Sequence, residues 1–216
     1  MSVIDIHCHI LPGLDDGSPD MATSVAMARL AVAAGITTVI GTPHWIEDEH
    51  ETDPGQVRQT ARDLQAELDS QAIQLTVLTG NEAFICPDLR DRVKRGDVLT
   101  LADQGTHLLL ELPYEDLPTY MDDIIFKLQL QGIRPVLAHV ERYAYVRADW
   151  HVLDRWIRRG CLAQVNASSL ERARGNGLAQ DLVDRCLVAC TATDAHDAST
   201  RPPVILHHSF NGLNLA

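Results

Sequence analysis

The 216-residue chain lacks the marks of several protein classes. It has no Lys/Arg run, and its 30 acidic side chains against 18 basic ones leave a formal net charge of -12. That balance argues against nucleic acid or an anionic membrane surface as the main partner. No apolar stretch approaches the ~18–20 residues that a membrane span requires. MSVIDIHCHI has neither a basic start nor a long apolar segment, so no signal peptide is expected and export is disfavoured. Five cysteines (Cys8, Cys86, Cys161, Cys186 and Cys190) form no CxxC pair and read as reduced, mostly buried thiols of a cytoplasmic protein. GxSxG and P-loop motifs are missing too. What remains is an ordinary globular composition, 45% apolar and 22% charged, with no linker or low-complexity segment. The length fits a single domain over residues 1–216.

The pattern present is a repeated alternation of short β-rich runs with longer helical ones. SVIDIH, ITTVIG, LTVLTG, HLLLEL, RPVLAH, CLAQVN and LVACTAT read as seven strands. Between them lie helices: DMATSVAMARLAVAAG, opened at Asp20 and stopped at Gly35; residues 57–68; a short one over 87–94; PTYMDDIIFKLQLQG; residues 150–159; and residues 178–186. TPHWIEDEHETDPG reads as an acidic loop. Strands separated by helices imply parallel pairing, because a parallel return needs a crossover. An open doubly wound sheet and a closed barrel both fit this alternation.

The polar residues at the strand ends separate the two. His7 and His9 end the first strand, with Asp16 in the loop behind it; His44 follows the second and Glu82 the third. Glu111 ends the fourth, His139 the fifth, Asn166 the sixth, and Asp194 and His196 the seventh. A parallel barrel gathers all those ends on one face, whereas an open sheet concentrates its site at one switch point. The expected fold is therefore α/β, a distorted seven-stranded barrel with a metal site at the C-terminal ends of its strands. Residues two apart in a strand share a face, so His7 and His9 can grip one ion while Cys8 turns away. Five imidazoles and four carboxylates exceed what one site can use, and two or three ions sharing carboxylates would account for them. His50, His107, His151, His207 and His208 lie in loops, at a strand start or in the tail, and read as ordinary histidines.

Charge points to the substrate. Four carboxylates alone would repel phosphate, but three divalent ions would reverse the sign to about +2 with neutral imidazoles. Arg142, just past His139, and Arg201, soon after His196, can each hold phosphate oxygens in a fork. One decoy competes: Cys86-Pro-Asp-Leu-Arg-Asp-Arg92 has the Cys-x5-Arg spacing of cysteine-dependent tyrosine phosphatases. It has no glycine, Pro87 lacks a donor, and Asp88 and Asp91 would repel the anion, so a helix start with Cys86 as N-cap is the better reading. Gly175-Asn-Gly177 is a weak glycine match with no strand before it and reads as a loop.

DIHCHILPGLDDG, GTPH, GNEAF, LLLELP, LAHVERY, QVNASS and TDAH, in that order, resemble the polymerase-and-histidinol-phosphatase superfamily. Within it they look like the bacterial manganese-dependent protein tyrosine phosphatases of the CpsB/CapC type, up to about Pro203. The resemblance implies three ions: His7, His9, Glu82 and Asp194 on one, Glu82 bridging to a second with Glu111 and His139, and Asp16, His44 and His196 on the third. Asp16 rather than Asp15 is chosen because the family's ligand is the second Asp of DDG. Arg142 and Arg201 match its phosphate-binding arginines. The family usually continues with a helical segment after RPP, so the short tail VILHHSFNGLNLA suggests missing C-terminal helices.

The expected activity is hydrolysis of protein phosphotyrosine by a metal-bound hydroxide attacking in line, with no phospho-cysteine intermediate. His139 or a metal-bound water would protonate the leaving tyrosinate. The donor set suits Mn, Fe, Zn or Co, and the resemblance implies manganese. It also implies, as partner, the tyrosine-rich tail of a kinase controlling capsule or exopolysaccharide synthesis. Two other readings stand beside this one: a small-molecule phosphatase such as one for histidinol phosphate, and a non-catalytic barrel that binds metal or a partner.

Overall fold

A computed structural model describes residues 3–173 and 177–206. The tail from 207 onward, with His207 and His208, and the Gly175-Asn176 part of the glycine match lie outside the described residues. The order is β1 (Ile4–Cys8), α1 (Met21–Ala33), β2 (Thr38–Gly41), β3 (His44–Ile46), β4 (His50–Glu51), α2 (Pro54–Ser70), β5 (Thr76–Thr79), β6 (Glu82–Phe84), α3 (Leu89–Arg95) and β7 (His107–Glu111). It continues with α4 (Met121–Gln129), β8 (Arg134–Leu137), α5 (Ala144–Ala148), α6 (His151–Arg158), β9 (Leu162–Asn166), α7 (Ala167–Ala173), α8 (Leu178–Asp184) and β10 (Cys190–Ala192). A 3₁₀ turn over Val140–Arg142 follows β8.

Local chemistry explains most boundaries. Asp20 caps α1 by accepting from the Thr23 backbone N–H at 2.8 Å, and Asp53 does the same for α2 through Gln56 with Pro54 in its first turn. This cap starts α2 three residues before the periodicity does. The acidic loop expected after the second strand instead holds a hairpin, β3 with β4 antiparallel. Buried Trp45 drives it, and Asp48 takes the left-handed backbone that the turn requires. Helix α3 begins at Leu89 rather than Pro87, and its N-cap is Asp88, not Cys86. The Asp88 carboxylate is engaged by Arg92 at 2.9 Å.

All described strand pairs except β3–β4 are parallel, as the alternation predicts. The ladders form two sheets, β1-β2-β5 and β10-β9-β8-β7-β6-β3-β4, rather than one closed sheet. The runs read as second and third strands end as β2 and β5, and beyond Thr42-Pro43 and Gly80-Asn81 each is followed by a further short strand, β3 and β6, outside the seven read from the sequence. Proline has no ladder donor, and Asn81 uses its side chain to bond Pro43 O and the Leu99 N–H. Between β10 and β1 lies a single parallel bridge, Cys8 with Ala195, backed by His9 N–H to Ala195 O at 2.9 Å and Asp194 N–H to His7 O at 2.8 Å.

Three apolar clusters fill the interior. One gathers Ile6, Ile40, Leu109, Val136, Leu162 and Cys190, an inward side chain from each of β1, β2, β7, β8, β9 and β10, with Leu78 of β5 packed against them. Fully burying a Leu- or Ile-sized side chain stabilises by about 1.5–3 kcal/mol, so this cluster anchors the strands on which the polar residues sit. The second packs α1 and α2 on the β1 side, and the third packs α4, α6 and α8 around Trp45 and Trp156. All five thiols are free, with Cys186 alone exposed. No described helix is long and apolar enough to cross a membrane.

Candidate metal centre

All nine predicted side chains meet in one pit of about 100 Å³ or in its wall: His44 and Glu82 from the first residues of β3 and β6, Asp16 from the loop after β1, and the others from at or just past the C-terminal ends of their strands. His7 and His9 leave β1 on the same face, and their Nε2 atoms lie 3.2 Å apart. Glu82, the first residue of β6, sits at the centre. Its Oε2 is 3.1 Å from His7 Nε2, 3.2 Å from His9 Nε2 and 3.2 Å from His44 Nδ1, and its Oε1 is 2.9 Å from His139 Nε2. Asp194 Oδ1 faces His7 and His9 at 3.3 and 3.5 Å. Glu111 lies 3.5 Å from His139 and 3.7 Å from His44. Asp16 reaches His44 and His196 at 3.4 and 3.5 Å.

Donor atoms thus converge in three overlapping groups: His7, His9, Glu82 and Asp194; His44, Glu82 and Glu111; and His9, Asp16, His44 and His196. The first matches the grouping that the sequence resemblance implies. In the other two, His44 stands beside Glu82 and Glu111, and His9 beside Asp16.

The residues fit divalent cations on one direct observation. Glu82 Oε2 and His44 Nδ1 are buried without a hydrogen-bond partner, a costly state for polar atoms unless a cation engages them. The electrostatics agree. Burial works against the charged His7 ring, but Glu82 and Asp194 outweigh it and lift its pKa to about 9. Burial likewise opposes charge on His9, and Asp15 leads the groups that drive its pKa well up. The field that draws protons to these rings would draw a divalent cation. His44, by contrast, is pushed down to about 4, chiefly by burial, and stays neutral as a ligand must. Burial, and then the charge of Glu82, raises the Glu111 carboxyl.

The backbone is strained at this place. His139 (φ 28°) and Asp194 (φ 50°) adopt the left-handed region that favours glycine, and each turns a side chain inward at the end of its strand. Gly17 of the DDG loop packs so closely on His9 that an added Cβ would lie 2.4 Å from the His9 Cβ. Only glycine lets this loop bring Asp15 and Asp16 over the pit.

Several residues absent from the sequence-based set hold the predicted ones. Asp15 Oδ2 lies 2.6 Å from His9 Nδ1 and accepts the His44 backbone N–H, which turns His9 Nε2 toward Glu82. Gln164 Oε1 accepts the His139 N–H at 2.8 Å and lies 3.2 Å from His7 Nδ1. The Gln164 amide donates to Asn166 Oδ1, and Asn166 Nδ2 donates to Asp194 Oδ2 at 2.7 Å. Gln164 shares its face of β9 with Asn166 by the alternation that pairs His7 with His9, so strand periodicity carried that signal. Buried Glu141 accepts from the Asn166 N–H and from Ser169 Oγ. Tyr114 donates to Glu111 Oε1 at 2.7 Å.

Both arginines reach the rim. Arg201 donates to Asp194 Oδ2 at 2.8 Å, and Arg142 Nη1 lies 3.4 Å from the same atom with its guanidinium over the Tyr114 ring. They also border a cavity of about 480 Å³ that opens beside the pit toward Ser168, Ser169 and Thr200. On the other flank a cavity of about 380 Å³ runs past Asp15, Asp16, His44 and His50. Cys86 is remote in character. Burial, with Asp88 and Glu47 adding to it, pushes its thiol up to about 12, the opposite of an activated nucleophile. His50 bonds Leu14 O, His107 lies beside Thr106 Oγ1 and His151 beside Asp149; none of the three enters the pit.

The chain belongs to the family described as capsular polysaccharide synthesis, CpsB/CapC, which matches residues 3–210. YwqE of Bacillus subtilis strain 168, a tyrosine-protein phosphatase, is 37% identical over 202 residues, 92% of this chain and 79% of that protein. CapC of Staphylococcus aureus is 28% identical over 216 residues, 99% and 84% of the two chains. The crystal structures of YwqE from Bacillus subtilis and CpsB from Streptococcus pneumoniae, described as unique metal-dependent tyrosine phosphatases, include a chain that is 36% identical to this one. It superposes with a TM-score of 0.88 over 92% of this chain and 81% of its own.

Proposed function

We propose that this member of the CpsB/CapC family is a metal-dependent phosphomonoesterase that hydrolyses phosphotyrosine in proteins. The observation that carries the reading is Glu82 Oε2, buried without a hydrogen-bond donor and met by three imidazole nitrogens at 3.1–3.2 Å, with two arginines on the rim above it. Three divalent ions, held by His7, His9, Glu82 and Asp194, by Glu82, Glu111 and His139, and by Asp16, His44 and His196, account for the donors. Oxygen and imidazole donors without thiolate suit Mn, and also Fe, Zn or Co. Bound cations supply Lewis acidity at phosphoryl oxygens and lower the pKa of the attacking water.

The chain's own groups do the rest. A pit of about 100 Å³ takes a phosphoryl group and leaves the tyrosyl ring outside. Arg142 and Arg201 swing from Asp194 to the non-bridging oxygens and stabilise the charge that builds there. His139 serves as a ligand rather than as the proton donor, since its Nε2 faces Glu82 and Glu111 and the ring is buried.

The two sheets are read as one distorted seven-stranded barrel forming a single domain. The ring of inward residues from β1, β2, β5, β7, β8, β9 and β10 and the Cys8–Ala195 bridge support this. By family membership, the natural substrate is read as the tyrosine-rich tail of a kinase controlling capsule or exopolysaccharide synthesis, and cavities on both flanks of the pit leave room for an extended chain.

The test is hydrolysis of a phosphotyrosine peptide before and after chelation, with manganese then restored. Loss and recovery are expected. Activity surviving verified metal removal would defeat the metal reading. A strong preference for histidinol phosphate over the peptide would move the chain to a small-molecule phosphatase.

A further inference from the structure

Tyr114 lies three residues past Glu111, in the loop that leaves β7, and belongs to no predicted ligand set. Its hydroxyl donates to Glu111 Oε1 at 2.7 Å, which turns Glu111 Oε2 toward His44. The face of its ring lies 4.8 Å from the Arg142 guanidinium carbon, a cation–π distance. The ring is 5.9 Å from that of His139 and 6.0 Å from that of Tyr143, so it closes one wall of the pit.

The backbone fixes this position. Tyr114 O accepts the Ala144 N–H at 2.8 Å, and the Leu112 N–H donates to Tyr143 Oη at 3.0 Å. These two bonds lace the loop after β7 to the segment that carries His139 and Arg142. The two functional contacts of Tyr114 therefore move together, although their partners come from different strands.

Arg142 needs such a platform. Its one charged partner among the described residues is Asp194, at 3.4 Å, and about two fifths of its side chain is exposed. A long side chain held this loosely loses rotamer entropy when it binds phosphate. Glu111 needs the hydroxyl for another reason. With the Tyr114 donor fixed on Oε1, the carboxylate is held in one orientation and its Oε2 is left facing His44.

We infer that Tyr114 is a positioning residue that orients Glu111 toward a bound cation through its hydroxyl and Arg142 toward the substrate phosphate through its ring. The inference rests on the metal-phosphatase reading above. It divides one side chain into two separable functions: metal affinity belongs to the oxygen, and phosphate affinity to the ring.

The test compares wild type with Tyr114→Phe and Tyr114→Leu. Manganese binding to the apoproteins is followed by calorimetry, and KM for a phosphotyrosine peptide and inhibition by inorganic phosphate are measured at saturating manganese. Tyr114→Phe should weaken the most affected manganese site about tenfold or more, as loss of a partner behind a ligand does, and leave KM and phosphate inhibition near wild type. Tyr114→Leu should show the same manganese defect and in addition raise KM and weaken phosphate inhibition about fivefold. In an Arg142→Ala background the second effect should vanish while the manganese defect persists.

Wild-type manganese affinity in Tyr114→Phe would overturn the role of the hydroxyl. Equal KM in the Phe and Leu variants, or a ring effect that survives without Arg142, would overturn the role of the ring. A wild-type protein that neither binds manganese nor cleaves the peptide would instead sink the metal-phosphatase reading itself. Circular dichroism of the apoproteins separates a folding defect from either outcome, and the Phe variant keeps the packing of the wall intact.

Discussion

The group His7, His9, Glu82 and Asp194 and the group Asp16, His44 and His196 share one pit but differ in how much of the fold holds them. Side chains of the first are at most 2% exposed, and each has a partner behind it: Asp15 for His9, Gln164 for His7, Asn166 and Arg201 for Asp194, His139 for Glu82. In the second, Asp16 is 66% exposed and His44 20%, while His196 alone of the three is buried, with Asp194 O behind its Nδ1. The inner group is over-determined by second partners and buried charge. The outer one depends on a glycine-hinged loop and on whatever cation fills it. This difference teaches that ligands in a single cluster can have very different rigidity, and that the outer ion should exchange more readily.

The sharpest attempt to break that contrast is Glu82→Gln. Removing one partner of a buried charge cluster costs about 3–5 kcal/mol, so denaturant unfolding should show a large loss of stability and peptide hydrolysis should fall to background. Near-normal turnover would mean that the inner group is not the core of the site.

Next, Asp15→Asn should weaken metal affinity or activity about 10–100-fold, because it frees a ligand from behind. Arg201→Ala should lower kcat/KM by a comparable factor through loss of a charge-assisted contact worth about 1.5–3 kcal/mol.

A smaller effect is expected from Asp16→Asn. Its exposure predicts a stability change within about 0.5 kcal/mol, and manganese titration should show one weakened ion, not three. Equal damage from the Asp15 and Asp16 substitutions would erase the distinction between inner and outer halves. Cys86→Ser should leave kcat/KM unchanged, since its thiol is held protonated and does not line the pit. A loss there would revive the cysteine loop.

The legible features were those that follow from one-dimensional periodicity. Strand alternation put His7 and His9 on one face, and the cap at Asp20 marks the start of α1 directly, whereas periodicity passes over the cap at Asp53 and opens α2 at residue 57 instead of 54. The hairpin at His44–Glu51 was missed because its strands are only three and two residues long and read as polar loop; burial of Trp45 is what pays for them. The breaks at Pro43 and Gly80 likewise look like strand ends from the sequence, yet pairing resumes beyond each.

The sequence by itself determined which chemical groups stand at the strand ends, because identity and spacing along a strand decide which side chains can point into a common pit. It also determined the parallel α/β alternation and, through Pro87, Asp88, Asp91 and the missing glycine, weighed against a reactive Cys86. Only the tertiary structure decided that Asp15 backs His9 while Asp16 faces His44 and His196, that Gln164 serves both His7 and His139, and that Tyr114 joins Glu111 to Arg142. Those choices depend on distances between loops far apart in the chain, set by how the strands pack and where the backbone turns at Gly17, His139 and Asp194. A hydrogen bond is made or lost within a fraction of an ångström, a precision that residue spacing along the chain does not carry.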